Sequence, residues 1–97
     1  MAGLDDETRA FSARKRRETD EARQAAAFFL ACGVDIADAL AAAPPERDHL
    51  RMRLARLVER ERLRGLRRHW SYDLNRHIAL MQALKRLCAP PESSAGR

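Results

Sequence analysis

Apolar side chains recur along the chain at spacings of three and four, and almost no segment alternates apolar and polar positions with period two. This spacing is typical of α-helices that bury one face. Helices are predicted over about residues 5–32, 36–42, 45–64 and 71–88. We therefore expect an all-α fold, a small helical bundle of three main helices and one short helix. The bundle forms a single domain over residues 1–88, and 89–97 form a disordered tail.

The predicted helix ends carry residues that suit them. Gly33 and Gly65 lie where a helix C-terminus can take a glycine. Asp35 can cap the second helix and Ser71 the fourth, because their side-chain oxygens accept hydrogen bonds from free backbone N–H groups. Pro45 suits the first turn of the third helix, since a proline there gives up no helical hydrogen bond.

The predicted fourth helix has the widest apolar face in the chain. Its stripe consists of Trp70, Leu74, Ile78, Met81, Leu84 and Cys88. Leu80 and Leu87 widen this stripe, and so wide a face belongs in a core. We expect Trp70 to anchor the junction between the last two helices, with Arg67 or Arg68 stacked on its ring. A shorter stripe on the third helix consists of Leu50, Leu54, Leu57 and Val58.

The first helix is different, because between Ser12 and Gln24 its only apolar residues are two alanines. Opposite charges lie four positions apart in the pairs Arg14/Glu18, Arg16/Asp20 and Arg17/Glu21. Such pairs each stabilise a helix by about 0.2–0.5 kcal/mol. We expect this half to be solvated, to protrude, or to dock on another molecule. The candidate partner-binding residues are Arg14, Arg17, Glu18 and Glu21.

The supply of core residues is modest. Without Met1, the 97 residues include 23 large apolar side chains. Small domains bury a smaller share of their surface than large ones. Helical chains of this kind often complete their core by pairing, so we expect a homo-oligomer.

The chain is basic, with 19 Lys and Arg against 14 Asp and Glu and a net charge of +5. A basic surface favours nucleic acid or acidic protein faces as partners. Arginine outnumbers lysine 17 to 2. Codon usage in a GC-rich genome explains this ratio, and so does selection for bidentate contacts with carboxylate or phosphate. Both explanations stay open.

A ridge of arginines follows the third helix. Its members recur at spacings of 3, 4, 4 and 3 and are Arg53, Arg56, Arg60, Arg64 and Arg67. They fall within an arc of about 80° around the helix axis. Such a ridge can follow the phosphate backbone of DNA or RNA. The alternative is a solvated face whose arginines pair with acidic side chains.

Two further patterns suggest nucleic-acid binding less specifically. Residues 67–73 hold the single Trp and the single Tyr beside two arginines, which together can stack on exposed bases. The break near Gly65 also fits a helix-turn-helix, but the preceding helix is too long and the connection longer than the usual turn. A plain helical hairpin explains the same break.

The sequence offers little for catalysis. No metalloprotease or triad spacing involves the histidines, which are His49, His69 and His77. Asp73 and His77 lie four apart, as in an ordinary helix pair. Cys32 and Cys88 are expected to be free and buried, the common state of unpaired cysteine. We expect no enzyme activity, no cofactor, no metal and no small-molecule substrate.

We expect a cytoplasmic location. The first residues are acidic without an apolar segment. The longest uncharged run covers 11 residues, 24–34, against the roughly 20 that a membrane span needs. A basic helix can also lie on a membrane, but the apolar face of residues 46–68 is short and lacks aromatics, so we do not expect membrane binding.

These features lead to two hypotheses for function. The first is a regulatory adaptor or small subunit that binds a larger protein through its first helix and its apolar stripes. The second is a nucleic-acid-associated protein that contacts phosphates through the arginine ridge without strong sequence preference. Both can hold together, as in a DNA-packaging or regulatory assembly.

Overall fold

A computed structural model describes residues 3–89 of the chain. It shows the helices α1 (Leu4–Cys32), α2 (Ile36–Ala41), α3 (Pro44–Leu66) and α4 (Leu74–Cys88). Across these described residues there is no strand. The predicted all-α class and the three long helices and one short helix are confirmed. Apart from Ala89, the predicted tail lies outside the described residues.

Two of the predicted helix ends are confirmed in detail. Gly33 ends α1 with φ 72°, in the left-handed region that favours glycine, and its N–H donates to the Phe29 carbonyl over 2.8 Å. Asp35 caps α2, because its carboxylate accepts from the Ala37 N–H over 3.1 Å. Local sequence signals therefore set the boundary between α1 and α2.

The start of α4 was predicted three residues too early. Asp73, not Ser71, caps this helix, and its carboxylate accepts from the backbone N–H groups of Asn75 and Arg76. A carboxylate can accept two bonds at a helix N-terminus and also carries a charge that the helix dipole favours. Ser71 lies in the connecting loop, with its hydroxyl 2.7 Å from Nδ1 of His69.

Gly65 does not end α3 but lies inside it, one residue before the last. Its role is to let the Tyr72 ring approach, because a Cβ built on Gly65 would lie 3.0 Å from two of the ring carbons. The chain reverses instead at Arg68, whose φ is 52°. Tyr72 thus folds back against the end of α3, and this contact shapes the loop between α3 and α4.

The hydrophobic core joins the second half of α1 to the other three helices. Its buried members are Phe28, Cys32, Ile36, Ala39, Leu50, Leu54, Leu80, Ala83 and Leu87. Phe28 and Leu54 have the largest side chains that are fully buried. The stripe predicted for α3 is confirmed, since Leu50 and Leu54 are buried and Leu57 and Val58 pack against them.

The α4 face that was predicted to be buried is buried only in part: Leu80 and Leu87 lie in the core and Leu84 packs against it, whereas Trp70, Leu74, Ile78 and Met81 are exposed. The residues that α4 buries are Ala79, Leu80, Ala83 and Leu87. The two alanines let α4 lie close to its neighbours while the two leucines fill the core. In contrast, Trp70 and Leu74 are 90% and 59% exposed. Cys88 is exposed as well, so the prediction of two buried thiols is wrong for this one.

The first half of α1 extends away from the core. Among the residues of α1, only Gln24, Phe28 and Cys32 are buried. Residues 4–23 therefore form about 30 Å of helix without a buried side chain. The radius of gyration is 16.3 Å, against about 12 Å for a compact domain of this length.

Arg47, near the start of α3, joins the C-terminal ends of α2 and α4. Its guanidinium donates to the carbonyl of Leu40 over 2.8 Å. It also donates to the carbonyls of Arg86, Leu87 and Ala89 over 3.0–3.3 Å. Free carbonyls at a helix C-terminus carry partial negative charge, which a cation stabilises. Arg47 therefore has a structural role, and α3 and α4 run antiparallel.

The two cysteines should differ in reactivity. Burial raises the pKa of the Cys32 thiol above its ordinary value, against a smaller opposing effect of the Arg53 guanidinium. The thiolate is the reactive form, so at pH 8 a maleimide should label Cys88 and leave Cys32 intact in the folded chain. Mass spectrometry should show one label per chain before unfolding and two after it. Equal labelling of both thiols in the folded chain would contradict this packing.

Candidate interaction surfaces

The most distinctive surface is the side of α4 that faces away from the core, together with the loop before it. This surface, here called the α4 outer face, consists of Trp70, Leu74, Ile78 and Met81. The three α4 members lie at spacings of four and three and therefore share one side of the helix. Each of the four side chains is at least 43% exposed. Helices that are apolar on two opposite sides are usually buried on both sides. In α4 only one side contacts the rest of the described chain.

Trp70 is held in the loop without contributing to the core. Its ring stacks on that of His69, with 5.6 Å between the ring centroids. His69 is itself fixed, because its Nδ1 accepts from the backbone N–H of Ser71 over 3.2 Å. The prediction that Trp70 anchors the junction between α3 and α4 is wrong, since Tyr72 takes that place against Gly65.

His77 also has a different partner from the one predicted. Its Nδ1 lies 2.8 Å from the hydroxyl of Tyr72. Asp73, four residues earlier, uses its carboxylate to cap α4 instead. The two rings meet edge to face with centroids 5.7 Å apart. This pair closes the α3–α4 loop.

The arginine ridge of α3 is only partly free to bind a ligand. Arg53 donates to the Cys32 carbonyl over 3.3 Å. Arg64 pairs with Glu61 over 2.8 Å. Arg56, Arg60 and Arg67 are exposed, and none of them forms an ion pair within residues 3–89. Two of the five predicted members therefore have structural contacts, and three point into solvent.

Glu61 is a buried acid within this basic stretch. It is 4% exposed and accepts from Arg64 over 2.8 Å and from Arg76 of α4 over 2.9 Å. Arg76 also donates to the carbonyl of Ser71 over 2.7 Å. This network holds α3, α4 and their loop together. Local spacing could not reveal it, because Glu61 and Arg76 lie 15 positions apart.

A cleft of about 610 Å³ lies between α1, α3 and α4. Alanine and leucine side chains form much of its lining, including Ala27, Leu30 and Leu57. The arginines that line it are Arg23, Arg60, Arg64 and Arg76. Glu61 and Asp73 line the cleft too, and Glu61 pairs with Arg64 and Arg76. Of the four arginines, Arg23 and Arg60 form no ion pair within the described residues.

The predicted ion pairs of α1 are not formed. In the described part of the chain, the ion pairs lie in α3 or between α3 and α4. The candidate partner-binding residues of α1 are all exposed and are Arg14, Arg17, Glu18 and Glu21. The guanidinium of Arg14 instead lies 5.7 Å from the centroid of the Phe11 ring. These charges are therefore available for contacts with another molecule.

Within the described residues, no group of three or more His, Cys, Asp or Glu side chains lies close enough together to hold a metal ion. Over the same residues, no helix is both long enough and apolar enough to cross a membrane.

Comparison with known proteins adds no functional assignment. The chain matches no protein-family model, no curated protein and no solved structure.

Proposed function

We propose that the chain is a non-enzymatic helical adaptor that binds a larger protein through the α4 outer face. The observation that carries this proposal is the exposure of Trp70, Leu74, Ile78 and Met81 on the side of α4 away from the core. In the isolated chain these apolar side chains are exposed to water, which is unfavourable in free energy. Binding to an apolar partner surface would bury them and remove this cost. The surface is therefore suited to an apolar partner surface.

The composition of the surface also supports a protein partner. Tryptophan is enriched among the residues that contribute most to protein–protein affinity. Trp70 is already oriented by its stacking on His69, so little side-chain freedom is lost on binding. Lys85 is exposed on the same side of α4, one turn beyond Met81, so a charged residue borders the face at its C-terminal end. An apolar centre with a charged edge is the usual anatomy of such an interface.

Photo-cross-linking in living cells tests this proposal. A benzophenone amino acid at position 78 should cross-link to one defined protein, which mass spectrometry identifies. The same probe at position 62, exposed on α3, serves as the control and should give no such product. Equal products from both positions, or none from position 78, would count against the proposal.

Affinity for that protein then gives the quantitative test. Trp70→Ala should weaken binding by about thirtyfold or more, because a tryptophan that acts as a hot spot contributes about 2 kcal/mol or more. Arg62→Ala, on the exposed side of α3, should leave the affinity unchanged. Isothermal titration calorimetry measures both, and unchanged binding by the Trp70 variant would refute the proposed surface.

Binding to nucleic-acid phosphates is the second candidate. It is supported by the exposed Arg56, Arg60 and Arg67 and by Arg23 of α1, which lines the cleft together with Arg60. Three phosphate contacts on duplex DNA give a log–log salt slope of about −2.7. Titration of Trp70 fluorescence with DNA at several salt concentrations measures this slope.

The matched variants for this second candidate are Arg56→Gln and Arg62→Gln. Arg62 donates to the Glu59 carboxylate over 2.7 Å. Arg62→Gln therefore lowers the net charge by one, as Arg56→Gln does, but removes a guanidinium that is already paired. Only the Arg56 variant should lower the affinity and flatten the salt slope. If the two variants had equal effects, DNA binding would depend on the net charge of the chain and not on contacts made by the ridge.

A further inference from the structure

The exposed side of α1 carries a heptad pattern that the core does not use. The α1 outer face is defined here by Leu4, Phe11, Lys15, Glu18, Ala22 and Phe29. Their spacings of 7, 4, 3, 4 and 7 place them within an arc of about 60° around the axis. All six side chains are exposed, and the exposed fraction of Leu4, Phe11 and Phe29 is at least 56%. These six positions follow the a and d spacing of a coiled coil, with apolar side chains toward both ends and the charged Lys15 and Glu18 in the middle.

We propose that two copies of the chain pair antiparallel through the α1 outer face. In the register proposed here, the residue numbers of two side chains that face each other add up to 33. Leu4 then packs on Phe29 of the second copy, and Phe11 packs on the small Ala22. Two-fold symmetry repeats each contact, because residue i meets j and j meets i. The large Phe11 ring therefore packs where the small Ala22 leaves room. The pairing also covers apolar surface along the projecting helix.

The charges of α1 fit the same register. Lys15 faces Glu18 of the second copy, and the two-fold axis produces the pair twice. On the flank of the stripe, Arg14 comes beside Glu21 of the second copy. These exposed charges form no ion pair within their own helix in the described residues. Their pattern is therefore complementary between chains and specifies the orientation.

A parallel pairing of the same stripe is disfavoured. It would place Lys15 against Lys15 and Glu18 against Glu18 in the seam between the helices. Like charges in such a seam oppose association. The geometry of α1 also favours pairing, since residues 4–23 have no buried side chain in the isolated chain. This inference concerns α1 and does not depend on the role of the α4 outer face.

Sedimentation equilibrium with charge-reversed variants tests the pairing. The unaltered chain should form a dimer with a dissociation constant that the Lys15→Glu variant raises about tenfold, because two attractive contacts become repulsive. Arg16→Glu is the matched control. It reverses the same charge one residue later, on another side of the helix, and should leave the dissociation constant unchanged.

Mixing two variants tests the antiparallel orientation itself. Glu18→Lys alone should weaken the dimer as Lys15→Glu does. An equimolar mixture of the two should recover association, because positions 15 and 18 that face each other across the mixed dimer again carry opposite charges. The chain carrying both reversals should also pair. In a parallel dimer each single reversal would only exchange one like-charge contact for another, so neither variant alone would weaken association. The mixture would then associate more tightly than the unaltered chain, whereas in the antiparallel dimer it recovers only the original affinity.

Three results would overturn the proposal. The first is a monomer at every concentration tested. The second is an equal effect of Lys15→Glu and Arg16→Glu. The third is a dimer that the mixture of single variants does not restore. Circular dichroism of each variant guards against loss of helix, since a weakened dimer counts only if the helical signal per chain is retained.

Discussion

Leu80→Ala is expected to lower the free energy of unfolding by about 2–4 kcal/mol, the usual cost of removing a buried leucine side chain. Leu80 is 3% exposed and belongs to the core that joins α4 to α1 and α3. The substitution removes buried apolar surface and leaves a cavity. Urea denaturation followed by circular dichroism at 222 nm (the ordinary helix signal) measures the loss.

Leu74→Ala is the matched control for this prediction. Leu74 is 59% exposed on the other side of the same helix, so its loss should change the free energy of unfolding by less than about 1 kcal/mol. Both variants are compared at one protein concentration, because association contributes to apparent stability. If Leu74→Ala proved as destabilising as Leu80→Ala, the orientation of α4 described here would be wrong.

Arg47→Gln is expected to lower the free energy of unfolding by about 2–3 kcal/mol. Hydrogen bonds from charged donors contribute about 1.5–3 kcal/mol, and Arg47 also opposes the dipoles of two helix C-termini. The substitution leaves the carbonyls of Leu40, Arg86, Leu87 and Ala89 without this donor. The same denaturation measurement applies.

The control for Arg47 is Arg51→Gln, one turn further along α3. Arg51 makes a longer contact of 3.7 Å with Asp48, and its side chain is 39% exposed. Such surface pairs contribute about 0–1 kcal/mol. A loss no larger for Arg47→Gln than for Arg51→Gln would mean that the guanidinium does not join α2 to α4.

The boundary between α1 and α2 could be predicted because the signals for it are local. Gly33 and Asp35 act within their own turn, through a left-handed φ and a side-chain cap. The class of fold followed from the same local periodicity. Where two signals competed, as Ser71 and Asp73 did, the carboxylate formed the cap.

The orientation of α4 could not be predicted from periodicity. This helix carries apolar side chains on two sides, and spacing alone does not decide which side faces α1 and α3. The larger stripe with Leu74, Ile78 and Met81 was assigned to the core, whereas the side with Ala79 and Ala83 allows closer packing. The proposed function rests on the larger stripe, which this orientation leaves exposed.

The candidate site depends on contacts that are distant in sequence. Gln24 is buried because Gln82 and Arg86 of α4 satisfy its amide, at separations of 58 and 62 positions. Glu61 is buried because Arg64 and Arg76 approach it from two helices. An arginine count along α3 cannot distinguish these structural residues from the solvent-exposed ones.

The two proposed contacts use different helices of the chain. Pairing covers the α1 outer face, and partner binding covers the α4 outer face. A paired chain therefore presents two copies of the α4 outer face. A dimer that binds two sites of one partner gains affinity from the linkage between them.

The most direct test of this account is the accessibility of Trp70, the single tryptophan of the chain. Acrylamide quenching of its fluorescence, measured on the dilute folded chain without a partner, reports whether the indole contacts solvent. The account predicts quenching close to that of the chain unfolded in urea, because the side chain is 90% exposed. A protected, blue-shifted emission from the dilute folded chain would contradict it, since Trp70 would then belong to the core.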